Sequence, residues 1–207
     1  MGAFEFFFSF YGLLLGLSVA VLATGVATAI QHRKAIRIGW LTPLLATFVA
    51  LDIATFWDFA WNIYRAAPFS YGLLVAGLVI ALTYFVAASL VFPHAIADGM
   101  SLDDHFWANK TMALMLTCVA NIVALAAAIP FILALDGGAT ILATYGVSSL
   151  LYLAIVIPAA LACKPRLFAI LIGLHVALYL VIAVSSAVFP ELATNPMTGT
   201  TEATRVS

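Results

Sequence analysis

Three polar side chains that interrupt long apolar stretches carry most of the chemistry available to this sequence. Asp52, Asn121 and His175 each lie near the middle of such a stretch. Membrane proton relays use carboxylates and imidazoles, and an amide can orient or solvate them. We therefore expect Asp52, His175 and Asn121 to form one central polar site, which would serve as a pathway for protons or a small cation.

Asp52 is the most informative of these residues. It follows Trp40, the start of its apolar run, by 12 residues, a depth of about 18 Å at the helical rise of 1.5 Å per residue. An aspartate near the bilayer centre costs about 2.5–3.5 kcal/mol or more, so it should face the protein interior and have a partner. The alternative interpretation is structural: a protonated Asp52, or a hydrogen bond that holds helices together.

Further polar residues suggest access to this site from both sides. Asp58 and Asn62 follow Asp52 in the same run, and Glu5 lies at the start of the first run. We expect these three to line the outer access, although an interfacial structural role for Asp58 is the simpler interpretation. The cytoplasmic mouth would be lined by four residues: Asp98, Asp103, Asp104 and His105.

The composition indicates that most of the chain is surrounded by lipid rather than water. Of 207 residues, 65% are hydrophobic and only 8% are charged, whereas a soluble domain carries about 25% charged residues. The mean hydropathy is +1.16. These values predict an integral membrane protein in a lipid bilayer. The net charge of -1 provides no basic field for nucleic acid, which we exclude as a partner.

The apolar residues fall into six runs, at about 4–30, 40–64, 71–92, 107–135, 140–162 and 167–189. Each is long enough to cross a hydrocarbon core about 30 Å thick as a helix. Because the runs are continuous rather than alternating, they are not barrel strands. The predicted fold is an all-α polytopic bundle of six helices over residues 1–190, followed by a polar tail at 191–207.

The basic residues predict the orientation. Six of them lie in or beside the loops of one side: Arg33, Lys34, Arg37, Lys110, Lys164 and Arg166. The other side has only Arg65 and Arg205. The positive-inside rule places both termini outside the cytoplasm. The loop residues Arg33, Lys34, Arg37, Lys164 and Arg166 would also contact anionic lipid.

Two segments suggest an internal repeat. Residues 89–93 and 186–190 both have the pattern Ser-x-Val-Phe-Pro, and they are 97 positions apart. Pro68 and Pro165 match at the same offset. With three spans in each half, a genuine repeat would be an inverted 3+3 repeat, as in many transporters. The alternative is chance similarity between apolar segments.

Metal and cofactor chemistry are not encoded recognisably. The loop at about residues 93–107 contains His94, Asp98 and His105, residue types that can bind a metal. Ser101 and Asp104 in the same loop have the spacing of a helix capping box, however, and we favour this interpretation over a metal site. His175 is the only histidine deep within a span, so two axial haem ligands are absent, and no lysine lies mid-span for a Schiff base. We expect no metal, no cofactor and no enzymatic activity.

Intramembrane hydrolysis is a remote alternative. Ser148 and His175 resemble the serine–histidine dyad of the six-span rhomboid proteases, because a serine nucleophile needs a base at similar depth. No glycine follows Ser148, however, and the Trp-Arg loop motif of that family is missing.

A broader resemblance covers about residues 4–110. The chain resembles small bacterial inner-membrane proteins that share an acidic–aromatic start, a Leu-Gly-Leu first span and a Trp-rich second span. The segments that resemble them include Glu5-Phe6, Leu15-Gly16-Leu17, Gly39-Trp40, Phe56-Trp57 and Asp104-His105-Phe106. The resemblance implies a bacterial plasma membrane and no particular activity.

A second function remains open beside ion transport. The chain would be a non-catalytic accessory or sensory subunit of a larger membrane complex. Other membrane subunits, or further copies of this chain, would then be its partners.

Overall fold

The computed structural model describes residues 3–64, 70–95 and 99–188, with side chains from Phe8 onward. The described chain is all-helical apart from one isolated bridge between Arg37 and Ser101. Its six helices are α1 (Ala3–Gln31), α2 (Leu41–Tyr64), α3 (Tyr71–Ser89), α4 (Leu102–Leu133), α5 (Gly138–Leu161) and α6 (Pro165–Val188). All six are long and apolar enough to cross a membrane. The predicted six-helix fold is confirmed, and the chain is a multi-pass integral membrane protein.

Helix boundaries differ from the apolar runs where polar residues extend a helix or proline ends one. α4 begins at Leu102, five residues before the predicted start, because its first turn contains Asp103 and Asp104. Acidic residues stabilise a helix N-terminus but do not extend an apolar run. α3 ends at Ser89 rather than residue 92, since Pro93 disfavours helical backbone in the residue before it.

The prediction of a capping box at Ser101 is wrong in one respect. Ser101 is the N-cap of α4, as predicted, but its side chain makes no capping hydrogen bond. Its backbone instead lies in a bridge to Arg37, whose N–H donates to Met100 O at 3.3 Å and whose carbonyl accepts from Leu102 N at 3.2 Å. These bonds tie the α1–α2 loop to the start of α4.

Four helices form a ring around the centre of the bundle. α2 packs on α4, α4 on α5, α5 on α6, and α6 on α2. Over the ranges given above, α2 and α5 face each other across this ring without close backbone contact. α3 packs outside α2 and α4, and α1 packs on α2 and α3. A space therefore remains between α2 and α5.

A short turn joins α4 to α5. Gly137 adopts a φ of 71°, a left-handed conformation that glycine reaches without the steric penalty of a Cβ. α4 and α5 are packed neighbours joined by this turn. They therefore form an antiparallel pair.

The two halves of the chain pack differently. α1 contacts α3, whereas α4 and α6 make no close backbone contact within the part of the chain described. The 3+3 inverted repeat stays a prediction. The second copy of its motif extends beyond residue 188, and Pro68 and the predicted tail at 191–207 also lie outside the described residues.

The contact of α1 with the end of α3 generates a stability prediction. A Cβ on Gly25 would overlap the ring of Phe92 and come within 2.8 Å of its Cβ atom. We expect Gly25→Ala to destabilise the protein by about 1–3 kcal/mol through overpacking, measured as a lower thermal unfolding midpoint in detergent. Gly16→Ala is the matched control, because its Cβ would meet no atom within 4 Å. Equal midpoints for the two variants would contradict this packing.

Candidate functional site

The centre of the bundle contains a carboxylate held by three phenols. Asp52 of α2 is 2% exposed. Tyr179 of α6 donates to its Oδ1 at 2.7 Å. Tyr84 of α3 and Tyr152 of α5 donate to its Oδ2 at 3.1 and 3.2 Å. Side chains from four helices therefore converge on one buried carboxyl group.

These hydrogen bonds explain how Asp52 can lie inside the bundle. A buried charged group is tolerated only when its hydrogen-bonding capacity is met by the protein. An ionised carboxylate accepts up to about four hydrogen bonds and donates none, and each of the three hydroxyls donates one hydrogen bond to Asp52. The partner that the sequence required for Asp52 is thus a set of tyrosines.

Sequence reasoning missed these tyrosines, although a signal was present. Tyrosine in membrane proteins is enriched at the two interfaces, where its hydroxyl meets water. Tyr84, Tyr152 and Tyr179 instead lie well within apolar runs, and a buried tyrosine hydroxyl normally needs a polar partner. Mid-span tyrosines on three helices were therefore candidates for bonding to Asp52.

His175 lies beside this cluster and is 4% exposed. Its ring makes edge contacts with Tyr179, Tyr152 and Phe48, at centroid distances of 4.5, 5.3 and 5.6 Å. Nδ1 and Nε2 are both buried and have no hydrogen-bond partner among the described residues. Two of the tyrosines that bind Asp52 thus also contact the imidazole, while its nitrogens remain unpaired.

Asn121 completes the set of residues predicted for the centre. Its Oδ1 accepts a hydrogen bond from Ser149 Oγ at 2.7 Å. Asp52, His175 and Asn121 all line one cavity of about 330 Å³. The structure brings the three residues to the same space, with Asn121 bonded to α5 rather than to the other two.

The cavity occupies one half of the bundle. Along α2 its lining residues begin at Asp52 and continue to Asp58 and Phe59, and along α6 they begin at His175 and continue to Ile182. All therefore lie toward the C-terminal ends of α2 and α6. Beyond Asp52 in the opposite direction the interior is filled by fully buried apolar side chains: Phe48, Val49, Leu114, Val156, Phe168 and Ile172. Asp52 and His175 consequently lie where an open half of the bundle meets a packed half.

The residues predicted for the outer access have separate positions. Asp58 is exposed and lines the cavity. Asn62 does not line the cavity, but its Nδ2 donates to Asp58 Oδ2 at 3.2 Å. Glu5 falls in α1, and its side chain is outside the described residues, as is the whole of Asp98.

The basic residues divide into two groups. Those predicted to contact lipid are all exposed: Arg33, Lys34, Arg37, Lys164 and Arg166. Lys110 is instead buried; its Nζ donates to Ala160 O at 2.6 Å and lies 5.2 Å from the centre of the Trp107 ring. Lys110 therefore satisfies a carbonyl in the last turn of α5, where a cation is also favoured electrostatically.

Ser148 and His175 line the same cavity, but they do not form a dyad. Ser148 Oγ donates to Thr144 O at 3.0 Å, and the imidazole nitrogens are unpaired, as described above. Within residues 3–64, 70–95 and 99–188, no group of three or more His, Cys, Asp or Glu could hold a metal ion.

The tyrosine cluster generates a second prediction. Tyr179→Phe removes the shortest hydrogen bond to Asp52 and should lower the free energy of unfolding by about 1–2 kcal/mol. Tyr71→Phe is the matched control, because Tyr71 is 79% exposed at the start of α3. A double-mutant cycle with Asp52→Ala, which removes both acceptor oxygens, should give a coupling energy of about 0.5–2 kcal/mol. Strictly additive effects would contradict a direct bond.

No known protein family, curated protein or solved structure matches this sequence. The residues and geometry of the site are therefore the basis for the functional proposal. What the chain shows directly is a six-helix integral membrane protein, with a buried carboxylate and an unpaired imidazole on one internal cavity.

Proposed function

We propose that this protein conducts or transports protons or a small cation through the site formed by Asp52, His175 and Asn121. The observation that supports this most strongly is the position of Asp52, a buried carboxylate at the inner end of a cavity. Ionisable residues inside the membrane are rare, and those that face an internal cavity commonly mark ion or proton pathways.

Each residue has a role in this proposal. Asp52 is the group that takes up and releases the proton or cation. Tyr179, whose hydroxyl is bonded to Asp52 and whose ring contacts the imidazole, positions the carboxylate beside His175. His175 provides an imidazole on the cavity wall, Asn121 provides a further polar contact, and Asp58 attracts cations at the outer access.

Passage to the other side requires a second state. The apolar layer around Phe48, Leu114 and Phe168 is fully buried and offers a cation no polar partner. Transport therefore requires this layer to open while the cavity closes, a shift between two conformations that binding at Asp52 would bias. The arrangement described above would be the outward-open state.

The orientation belongs to the same proposal. With both termini outside, the exposed Arg33, Lys34 and Lys164 lie on the cytoplasmic side, as the positive-inside rule favours. The cavity then opens away from the cytoplasm. A bacterial plasma membrane is the location that we propose.

A flux measurement tests the role of Asp52. Purified protein in liposomes should dissipate an imposed proton or cation gradient, and Asp52→Asn should slow this by about tenfold or more, equivalent to about 1.4 kcal/mol of barrier. The asparagine keeps an oxygen for the tyrosine hydroxyls, which favours a folded variant. Asp136→Asn is the control, since Asp136 is exposed in the α4–α5 turn and does not line the cavity. Equal flux from wild type and Asp52→Asn would exclude the proposal.

Cysteine labelling tests the orientation. The natural thiols Cys118 and Cys163 are first replaced by alanine. In bacterial spheroplasts, a membrane-impermeant maleimide should label Asp136→Cys in the exposed α4–α5 turn, because that turn lies outside. Lys34→Cys should react only after permeabilisation. The reverse pattern would turn the cavity toward the cytoplasm.

A further inference from the structure

The charge of the cavity wall favours a cation. Asp52 lies at the inner end of the cavity and Asp58 near its access, and the described lining residues include no Lys or Arg. A cavity with low-dielectric walls and charge of one sign raises the local concentration of the opposite ion. Anions are correspondingly disfavoured.

The wall is also unusually aromatic for a site that handles an inorganic ion. Six rings line it: Phe56, Phe59, Tyr84, Tyr145, Tyr152 and Tyr179. Aromatic faces attract cations, organic ammonium ions included, and the attraction is strongest when the cation is desolvated. A carboxylate combined with aromatic rings is a chemistry that recognises such ions.

The size of the cavity supports an organic ligand. Its volume of about 330 Å³ equals the space of roughly ten water molecules at about 30 Å³ each. Small-molecule sites begin near 300 Å³ and combine mostly apolar walls with a few placed polar groups. A bare metal ion would leave most of this space unfilled.

His175 narrows the class of ligand. It is a buried polar side chain on the cavity wall, and neither ring nitrogen has a partner in the described structure. A neutral imidazole has one nitrogen that accepts a hydrogen bond. An ammonium ion that keeps an N–H can donate to this nitrogen, whereas a quaternary ammonium ion cannot.

We propose that the cavity binds a small organic ammonium ion that bears at least one N–H and an apolar body. The apolar body would occupy the aromatic wall, and the N–H would bond to His175 near the Asp52 carboxylate. This inference rests on the proposed function in one respect: the ammonium ion would be the cation that the protein carries. Binding is nevertheless measurable without flux.

Four probes of matched shape test the proposal. Benzylammonium, benzyltrimethylammonium, benzyl alcohol and benzoate are titrated calorimetrically into the full-length protein in nanodiscs, with empty nanodiscs as the blank for partitioning into lipid. Benzylammonium should bind about tenfold or more tightly than benzyl alcohol and benzoate, and several-fold more tightly than its trimethyl analogue. Benzyl alcohol or benzoate binding as tightly as benzylammonium would overturn the proposal.

Variants assign the contacts. His175→Phe should weaken benzylammonium about tenfold but leave benzyltrimethylammonium nearly unchanged, because only the former donates to the imidazole. Asp58→Asn, an exposed change that the fold should tolerate, should weaken both cations a few-fold and spare benzyl alcohol. Asp136→Asn, outside the cavity, is the matched control and should change none of them. Equal losses for Asp58→Asn and Asp136→Asn would overturn the assignment to this cavity.

The two proposals fail separately. If benzylammonium does not bind but Asp52-dependent proton or inorganic cation flux persists, the ammonium site is wrong and the proposed function stands. If benzylammonium binds with the expected selectivity but no gradient of protons, inorganic cations or benzylammonium is dissipated, the cavity is a ligand site and the transport function is wrong.

Discussion

Three hydrogen bonds from tyrosine hydroxyls to the Asp52 carboxylate are the constraint on which the packing at the centre of this protein depends. A carboxylate in the hydrocarbon layer without donors would be strongly unfavourable. The donors come from α3, α5 and α6, while Asp52 is on α2. Because hydrogen bonds to a charged group lose strength steeply with distance and angle, this one side chain restricts the positions of four helices relative to one another.

Asp52 lies at the boundary between a packed half of the bundle and a half that contains the cavity. On one side of Asp52 the ring of helices is filled by large apolar side chains such as Phe48 and Phe168. On the other side the interior contains the cavity, whose lining includes residues of α2 and α5. Lipid tails are as apolar as leucine, so close packing rather than hydrophobicity holds such helices together. The half of the bundle that contains the cavity therefore has fewer packing contacts to hold its helices together.

Hydrogen bonds near the ends of the helices restrict the relative positions of the helices, which packing of apolar faces alone leaves less specified. Lys110 bonds to the last turn of α5, and the Arg37 backbone bonds to the segment that starts α4. Tyr64 at the end of α2 donates to Ala124 O of α4 at 2.9 Å. Each of these bonds joins segments at least 50 residues apart in sequence. The first two lie outside the cavity, whereas Ala124 lines it.

The sequence by itself determined the solvent, the number of helices, their approximate ends and the prominence of Asp52, because hydropathy reports how deep each residue lies along a span. It placed Asp52, Asn121 and His175 at similar depth, and all three line one cavity. Only the tertiary structure decided that tyrosines bind Asp52 and that His175 is unpaired. The reason is that a membrane helix is apolar on all faces, so its sequence indicates depth well and rotation poorly. Helix rotation is set by packing against neighbours, and it determines which side chains meet.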